Sequence, residues 1–206
     1  MDEERIVLVE GNDDVHAIIH VLKKRGAFVQ DAVKFVDSEG WDKLISAIPV
    51  RLKSSVHRVI GIIADADNVL GQRWADICAK LEGEGFGPFP AAPPSGGYVA
   101  TAPDGRVVGI WLMPNNTDNG ALEDFLLSLI APGDPILDKA TTTVCGLSAS
   151  EKRFGSTGHR KAVAHTYLAW QESPGRPLGM AVNCNYFDAN AAAAQGFEAW
   201  YRQLTV

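Results

Sequence analysis

Three short apolar runs, separated by segments of helical length, constrain the fold of this chain more than any other feature. The runs lie at residues 5–9, 33–36 and 57–64. Between them, apolar residues recur at helical spacing over residues 13–25 and 41–52. Strands that are joined by helical crossovers lie parallel in one sheet, and near-continuous apolar strands suit a sheet covered on both faces. The sequence therefore predicts an α/β fold with a mostly parallel sheet.

The rest of the chain adds one more main strand and then becomes helical. A third helical pattern at residues 74–81 precedes a loop rich in Gly and Pro at 83–97. Residues 98–114 have the pattern of a hairpin with Pro-Asp-Gly at its turn, and the second run of this hairpin, 107–113, is the fourth main strand. Helical spacing resumes over residues 122–129. We therefore predict a four-stranded, mostly parallel sheet that is flanked by helices.

The predicted elements fall into two parts of the chain. We expect an α/β domain over residues 1–131 and a mainly helical C-terminal extension over residues 132–206, packed on the same domain. The extension ends in an amphipathic pattern over residues 197–204. A chain of 206 residues is long enough for one domain with a full core.

Charge and cysteine content narrow the class of protein. The formal net charge is −6, which argues against coating nucleic acid by charge alone but allows an acidic site that holds metal ions. The three cysteines are scattered and form no CxxC pair, so we expect neither a disulfide framework nor a thiolate zinc site, and we expect Cys78 in the core. The acidic N-terminus is unlike a secretory signal, and no apolar run reaches 18 residues, so we expect a cytoplasmic protein without a membrane span.

Acidic residues follow three of the four main strands. Glu10 ends the first strand, Asp65 and Asp67 end the third, and Glu123 and Asp124 follow the fourth. Ligands of open parallel sheets bind at the carboxyl ends of the strands. In an extended segment residues i and i+2 face the same side, so Asp65 and Asp67 would project together and repel each other without a cation. Magnesium prefers such oxygen ligands, and the pattern predicts a divalent metal site.

These motifs resemble the Toprim domain, the metal-binding catalytic domain of topoisomerases, bacterial primases and OLD-family nucleases. The resemblance is carried by Glu10-Gly11 after the first strand, by the Asp65-x-Asp67 pair after the third, and by Leu-Glu-Asp at 122–124. It covers roughly residues 5–130, and VEGNDD and GALEDFL are more similar to the OLD-type and small standalone Toprim groups. The resemblance implies a Toprim-like, Rossmann-like fold.

The resemblance also implies roles for individual residues. Glu10 would be a metal ligand or the general acid/base, and Asp65 and Asp67 would hold Mg²⁺ or Mn²⁺. Glu123 matches a further acidic position of the nuclease-type members. A later lysine in those nucleases stabilises charge at the phosphate, and Lys161 is our candidate.

Other assignments stay open at this point. Lys152 is nearly as plausible as Lys161 for the lysine. Asp14 is a further candidate ligand, although Asp13 and Asp14 also sit where first-turn acids stabilise a helix. Asp65 and Asp67 could instead form a turn in which Asn68 caps the next helix.

Three further features also have a structural and a functional interpretation. Glu123 and Asp124 could be helix-terminal acids rather than site residues. His16 and His20 lie four residues apart, but without the glutamate of HExxH we interpret them as surface residues. The basic segment 151–161 is the best candidate for a patch that contacts phosphate, or it is a solvated loop.

The leading hypothesis is a magnesium-dependent Toprim-type nuclease that hydrolyses phosphodiesters of DNA or RNA, in phage defence or repair. The alternative is a non-catalytic or regulatory Toprim-fold subunit that acts with a separate ATPase, because the sequence contains no GxxxxGK[ST] motif. A phospho-receiver is a third interpretation, which the Glu-Gly start fits poorly. The expected partners are nucleic acid, the separate ATPase of the alternative, and a second copy of the chain; no membrane partner is expected.

Overall fold

A sheet of five strands lies at the centre of the protein, whose computed structural model describes residues 4–54 and 56–205. The strands are β1 (Arg5–Val9), β2 (Lys34–Asp37), β3 (Val59–Asp65), β4 (Tyr98–Thr101) and β5 (Val107–Met113), in the spatial order β2-β1-β3-β5-β4. All neighbours pair in parallel except β4, which is antiparallel to β5. The predicted mostly parallel α/β sheet is confirmed. The predicted number of four strands is wrong, because the first half of the hairpin pairs with β5 and becomes an edge strand.

Eight helices surround this sheet in the part of the chain that the structure describes. They are α1 (Asn12–Lys24), α2 (Trp41–Leu52), α3 (Leu70–Glu82), α4 (Leu122–Ser128), α5 (Pro135–Gly146), α6 (His159–Ala169), α7 (Leu178–Asn183) and α8 (Ala192–Thr205), with a 3₁₀ turn at Ser156–Gly158. The first four occupy the segments in which helical spacing predicted them. Across the described residues, no helix has both the length and the apolar character needed to cross a membrane.

The sheet separates two apolar cores because successive strand residues face opposite sides. In β1, Ile6 and Leu8 face one side, where α2 and α3 pack, and Cys78 of α3 is buried there as expected. Val7 and Val9 face the other side, which is covered by α1 and by the helices that follow residue 131. Both faces of the sheet are therefore covered, and only its edges are left for a site.

The terminal helix α8 approaches the sheet at two glycines that are paired in register. Gly61 of β3 lies opposite Gly109 of β5. A Cβ atom on Gly61 would lie 2.8 Å from Cδ2 of Leu204, and one on Gly109 would lie 2.8 Å from Cδ1 of Leu204. The absence of side chains on these two residues therefore creates the space that Leu204 fills.

The predicted division into residues 1–131 and 132–206 stays a prediction. Residues from both ranges contribute to one apolar core, which also contains residues of α8. Residues 1–3, 55 and 206, which these ranges include, lie outside the described residues.

Substituting Gly109 with alanine is expected to destabilise the protein by about 1–3 kcal/mol, because the added methyl group overpacks the site of Leu204. Urea unfolding would measure the change, and Gly71→Ala is the control, because a Cβ atom on Gly71 meets no atom within 4 Å. The double variant Gly109→Ala/Leu204→Ala should lose less stability than the sum of the single variants. Additive losses would contradict this account of the packing.

Candidate functional site

The carboxyl ends of β1 and β3 meet the start of α4 in an acidic site. Glu10 directly follows β1, and Asp65 is the last residue of β3. The backbone N–H of Asp65 donates a hydrogen bond to Oε2 of Glu10 at 3.2 Å. The Oδ1 atom of Asp65 accepts a hydrogen bond from the backbone N–H of Leu122, the first residue of α4, at 3.0 Å. These two bonds fix Glu10 and Asp65 beside each other and beside α4.

Asp14 joins the site from the first turn of α1. Gly11 is the N-cap of this helix, and a Cβ atom at Gly11 would lie 2.9 Å from Oδ2 of Asp14. The glycine of the Glu-Gly motif therefore leaves room for the Asp14 carboxylate. Burial, together with the negative charges of Glu10 and Glu123, raises the pKa of Asp14 to about 7.

The negative charge of the site is only partly compensated. Burial and the neighbouring charges of Asp14, Glu10 and Glu123 raise the pKa of Asp65 to about 9. Burial also raises the pKa of Glu10, although the N–H of Asp65 and the positive charge of Arg73 oppose this. Without a bound cation, the site therefore retains protons near neutral pH.

Asp67 differs from the sequence-based expectation. The extended alternation ends at Asp65, because Asp67 has a left-handed backbone with φ of 48°. Its N–H bonds to the carbonyl oxygen of Gly120 at 2.8 Å, and its carboxylate forms an ion pair with Arg73. Asp67 therefore already has a cationic partner and is not held parallel to Asp65 by strand geometry.

The alternative interpretation, a turn capped by Asn68, is also not what the structure contains. Val69 is the N-cap of α3 and makes no side-chain cap bond. The N–H of Leu70 is instead bound by Oδ1 of Asn119, at 3.0 Å. Asn68 is thus left without a capping role.

Glu123 and Asp124 lie in the first turn of α4, and each pairs with a neighbouring residue of α6. Nζ of Lys161 lies 3.3 Å from Oε1 of Glu123, and Nε of Arg160 lies 2.6 Å from Oδ1 of Asp124. The nearby charge of Glu123 raises the pKa of Lys161. Of the two candidate lysines, the structure therefore brings Lys161 to the acidic site, whereas the exposed Lys152 forms no side-chain hydrogen bond or ion pair among the described residues.

Two further residues at this edge, the cationic Arg73 and the aromatic Trp41, were not identified from the sequence. The guanidinium carbon of Arg73 lies 3.9 Å from the ring centroid of Trp41, and Arg73 also reaches Asp67. The signal for Arg73 was its place in the first helical turns after the Asp-x-Asp pair, where a cation can fold back to an acid. Trp41 had no such signal, because it belongs to a different crossover.

The predicted surface location of the two histidines holds for one of them. His16 is exposed. His20 is partly buried, and its Nδ1 atom is buried without a hydrogen-bond partner in the described chain. Burial and the charge of Lys23 lower the pKa of His20. Both histidines lie on α1, which packs against α7, and a Cβ atom on Gly179 of α7 would lie 2.8 Å from Cβ of His16.

The donor set of the acidic site suits a hard divalent cation, since it consists of carboxylate oxygens with little compensating charge. Among the described residues, however, no three His, Cys, Asp or Glu side chains are grouped in position to hold one ion. The carboxylates can shift one another's pKa values without being grouped around one ion, because charges interact over distances longer than a metal–ligand bond. The residues therefore fit a metal ion in their chemistry, while their oxygens are not grouped around one ion position in this structure.

Fold and site together define an α/β protein with an acidic site at the carboxyl edge of a mostly parallel sheet. The chain matches, over residues 4–206, the family described as "Protein of unknown function (DUF3226)", and it belongs to that family. No curated protein and no solved structure gives a match to the chain. The family description names no activity, so the function has to be inferred from the site.

Proposed function

We propose that this protein is a magnesium-dependent, Toprim-type nuclease that hydrolyses phosphodiester bonds of DNA or RNA. The observation that carries the proposal is the group of partly buried carboxylates at the sheet edge, where Oε2 of Glu10 accepts the N–H of Asp65. Burial raises the pKa of Glu10, Asp14 and Asp65, and the charge of Glu10 further raises the pKa of Asp14 and of Asp65. Such clustering of perturbed acids is costly and is typical of sites that act on a ligand.

In this proposal Glu10, Asp14 and Asp65 hold Mg²⁺ or Mn²⁺. When bound, the ion would supply a Lewis acid for the phosphate and a lowered pKa for the attacking water. Asp67 and Glu123 complete the predicted ligand set. Each of these two acids carries an ion pair, to Arg73 and Lys161 respectively, through one carboxylate oxygen, so the other oxygen would be the one that binds a cation.

The chain's own residues would then share the remaining tasks. Oε2 of Glu10 accepts the N–H of Asp65, so Oε1 is the atom through which Glu10 would act, either as a metal ligand or as the general base. Lys161, which is more than half exposed at 59%, would offset the negative charge that develops on the phosphate.

The experiment is a cleavage assay of the purified protein with Mg²⁺ or Mn²⁺ on single-stranded DNA, duplex DNA and RNA. We expect cleavage of at least one substrate, and we expect Glu10→Gln to slow it by about 10²–10⁴-fold. Glu172→Gln is the matched control, because Glu172 is exposed and outside the site. Undiminished cleavage by Glu10→Gln, or cleavage in the presence of a chelator, would refute the proposed site.

A second candidate function is a regulatory Toprim-fold subunit that acts with a separate ATPase. It is favoured by the ion pairs that occupy Asp67, Glu123 and Asp124. This candidate predicts that an ATPase co-purifies with the tagged protein and that the isolated chain does not cut any nucleic acid. Cutting by the isolated chain would exclude the purely regulatory role.

A further inference from the structure

A second polar cavity adjoins the acidic site. It is a cleft of about 130 Å³ whose walls come from residues 67–68, 119–121 and 156–157, together with Asp124 and Arg160. The consecutive acids of α4 divide between the two sites. Glu123 belongs to the acidic site, where its charge affects Asp14 and Asp65, and Asp124 lines the cleft. The cleft and the acidic site are thus neighbours.

The cleft contains hydrogen-bond donors that the protein itself does not use. The side chains of Asn68, Ser156 and Thr157 make no hydrogen bond in the described chain. Asn119 uses its Oδ1 atom on the N–H of Leu70, so its amide group remains available as a donor. Amides and hydroxyls of this kind commonly bind the phosphate oxygens of nucleic acids.

The two carboxylates that line the cleft repel an anion less strongly than two unpaired carboxylates would. Its two carboxylates, Asp67 and Asp124, are each paired with an arginine, Arg73 and Arg160. Arg160 uses Nε for this pair, so both of its Nη groups remain as donors, and its side chain is 46% exposed. The cleft therefore offers neutral and cationic donors to a ligand that carries only acceptors.

The size of the cleft limits what it can hold. Pockets for whole small ligands have about 300–1,000 Å³, whereas one water occupies about 30 Å³ of liquid. A volume of about 130 Å³ is therefore suited to one compact group such as a phosphate. A nucleoside with its base would not be enclosed.

We propose that this cleft binds a phosphate that neighbours the scissile phosphate along the nucleic-acid chain. The inference rests on the proposed nuclease function and specifies its substrate as a chain with at least two consecutive phosphates. Because the consecutive residues Glu123 and Asp124 belong to the acidic site and to the cleft respectively, a strand with one phosphate at the acidic site would place a neighbouring phosphate at the cleft. The residues of the cleft would then fix the register of the substrate.

The test compares KM for a single-stranded oligonucleotide with KM for bis(p-nitrophenyl) phosphate, which has a single phosphodiester and no neighbouring phosphate. Thr157→Val, Asn68→Ala and Arg160→Gln should each raise the ratio of the oligonucleotide KM to the small-substrate KM by roughly tenfold. Thr143→Val and Arg176→Gln are matched controls on exposed residues outside the cleft and outside the basic segment 151–161. Thermal unfolding of every variant checks that it is folded.

The outcomes separate this inference from the function on which it rests. A KM ratio that stays constant in all three cleft variants overturns the phosphate subsite while leaving the nuclease function in place. An equal rise of KM for both substrates also overturns it, because the cleft would then not distinguish a second phosphate. Failure of the unmodified protein to hydrolyse either substrate refutes the nuclease function itself, and the subsite with it.

Discussion

Replacing Asp65 with asparagine is expected to reduce metal-dependent cleavage by about 10³-fold and, at the same time, to make the metal-free protein more stable. The loss of activity follows because asparagine carries no negative charge for a cation. The gain in stability follows because the Asp65 carboxylate is buried beside Asp14 and Glu10. Asparagine keeps an Oδ1 atom, so the bond from the N–H of Leu122 is retained. We expect a gain of about 1–2 kcal/mol, which corresponds to roughly 2–8 °C in Tm.

The stability gain has a defined pH dependence. The folded state holds the Asp65 proton up to a pKa of about 9, whereas the unfolded chain releases it near the ordinary value of 3.8. Between these values the folded state binds more protons, so the stability of the unmodified protein falls as the pH rises. The gain in unfolding free energy that Asp65→Asn brings should therefore be small near pH 4 and increase toward pH 9.

Thermal unfolding at several pH values, with a chelator present, measures this effect. Asp138→Asn is the control, since it removes the same charge from an exposed residue of α5. Excess Mg²⁺ or Mn²⁺ should then stabilise the unmodified protein, by about 2.7 kcal/mol at 100 times Kd, and so raise its Tm, but it should not raise the Tm of Asp65→Asn. A stabilisation by metal that is equal in both proteins would place the metal elsewhere.

Replacing Gly97 with alanine is expected to cause the largest loss of stability, about 3–5 kcal/mol. Gly97 has φ of 77°, and a Cβ atom there would lie 2.4 Å from Cδ1 of Trp200 and 3.0 Å from Cε3 of Trp111. Neither indole can move away easily. Trp200 is 1% exposed and donates from Nε1 to the carbonyl oxygen of Tyr98 at 3.2 Å, and Trp111 is 3% exposed.

Gly96→Ala is a matched control from the adjacent position, because a Cβ atom on Gly96 meets no atom within 4 Å. Chemical unfolding of the two variants should differ by at least about 2 kcal/mol. Equal stabilities would show that the loop before β4 can move away from α8. The same result would question how closely the C-terminal helix is packed against the sheet.

The elements themselves were largely predictable from local patterns. The apolar run of β1 and the helical spacing of α1 each depend on residues close in sequence, so periodicity identified their type. The hairpin was recognised from its turn residues, but pairing of β4 with β5 as a fifth strand was not counted. Whether a short run joins a sheet depends on the edge it meets, which is a property of the assembled fold.

The candidate site was also predictable only in part from the sequence. Sequence order alone placed Glu10, Asp65 and Glu123 near strand ends, because parallel strands bring their carboxyl ends to one edge of a sheet. Only the tertiary structure decided which acids are paired with cations. Arg160 reaches Asp124 across 36 residues, and the left-handed backbone of Asp67 turns it to Arg73. Local periodicity reflects the geometry of neighbouring residues, whereas the compensation of buried charge depends on side chains that meet only after the helices pack.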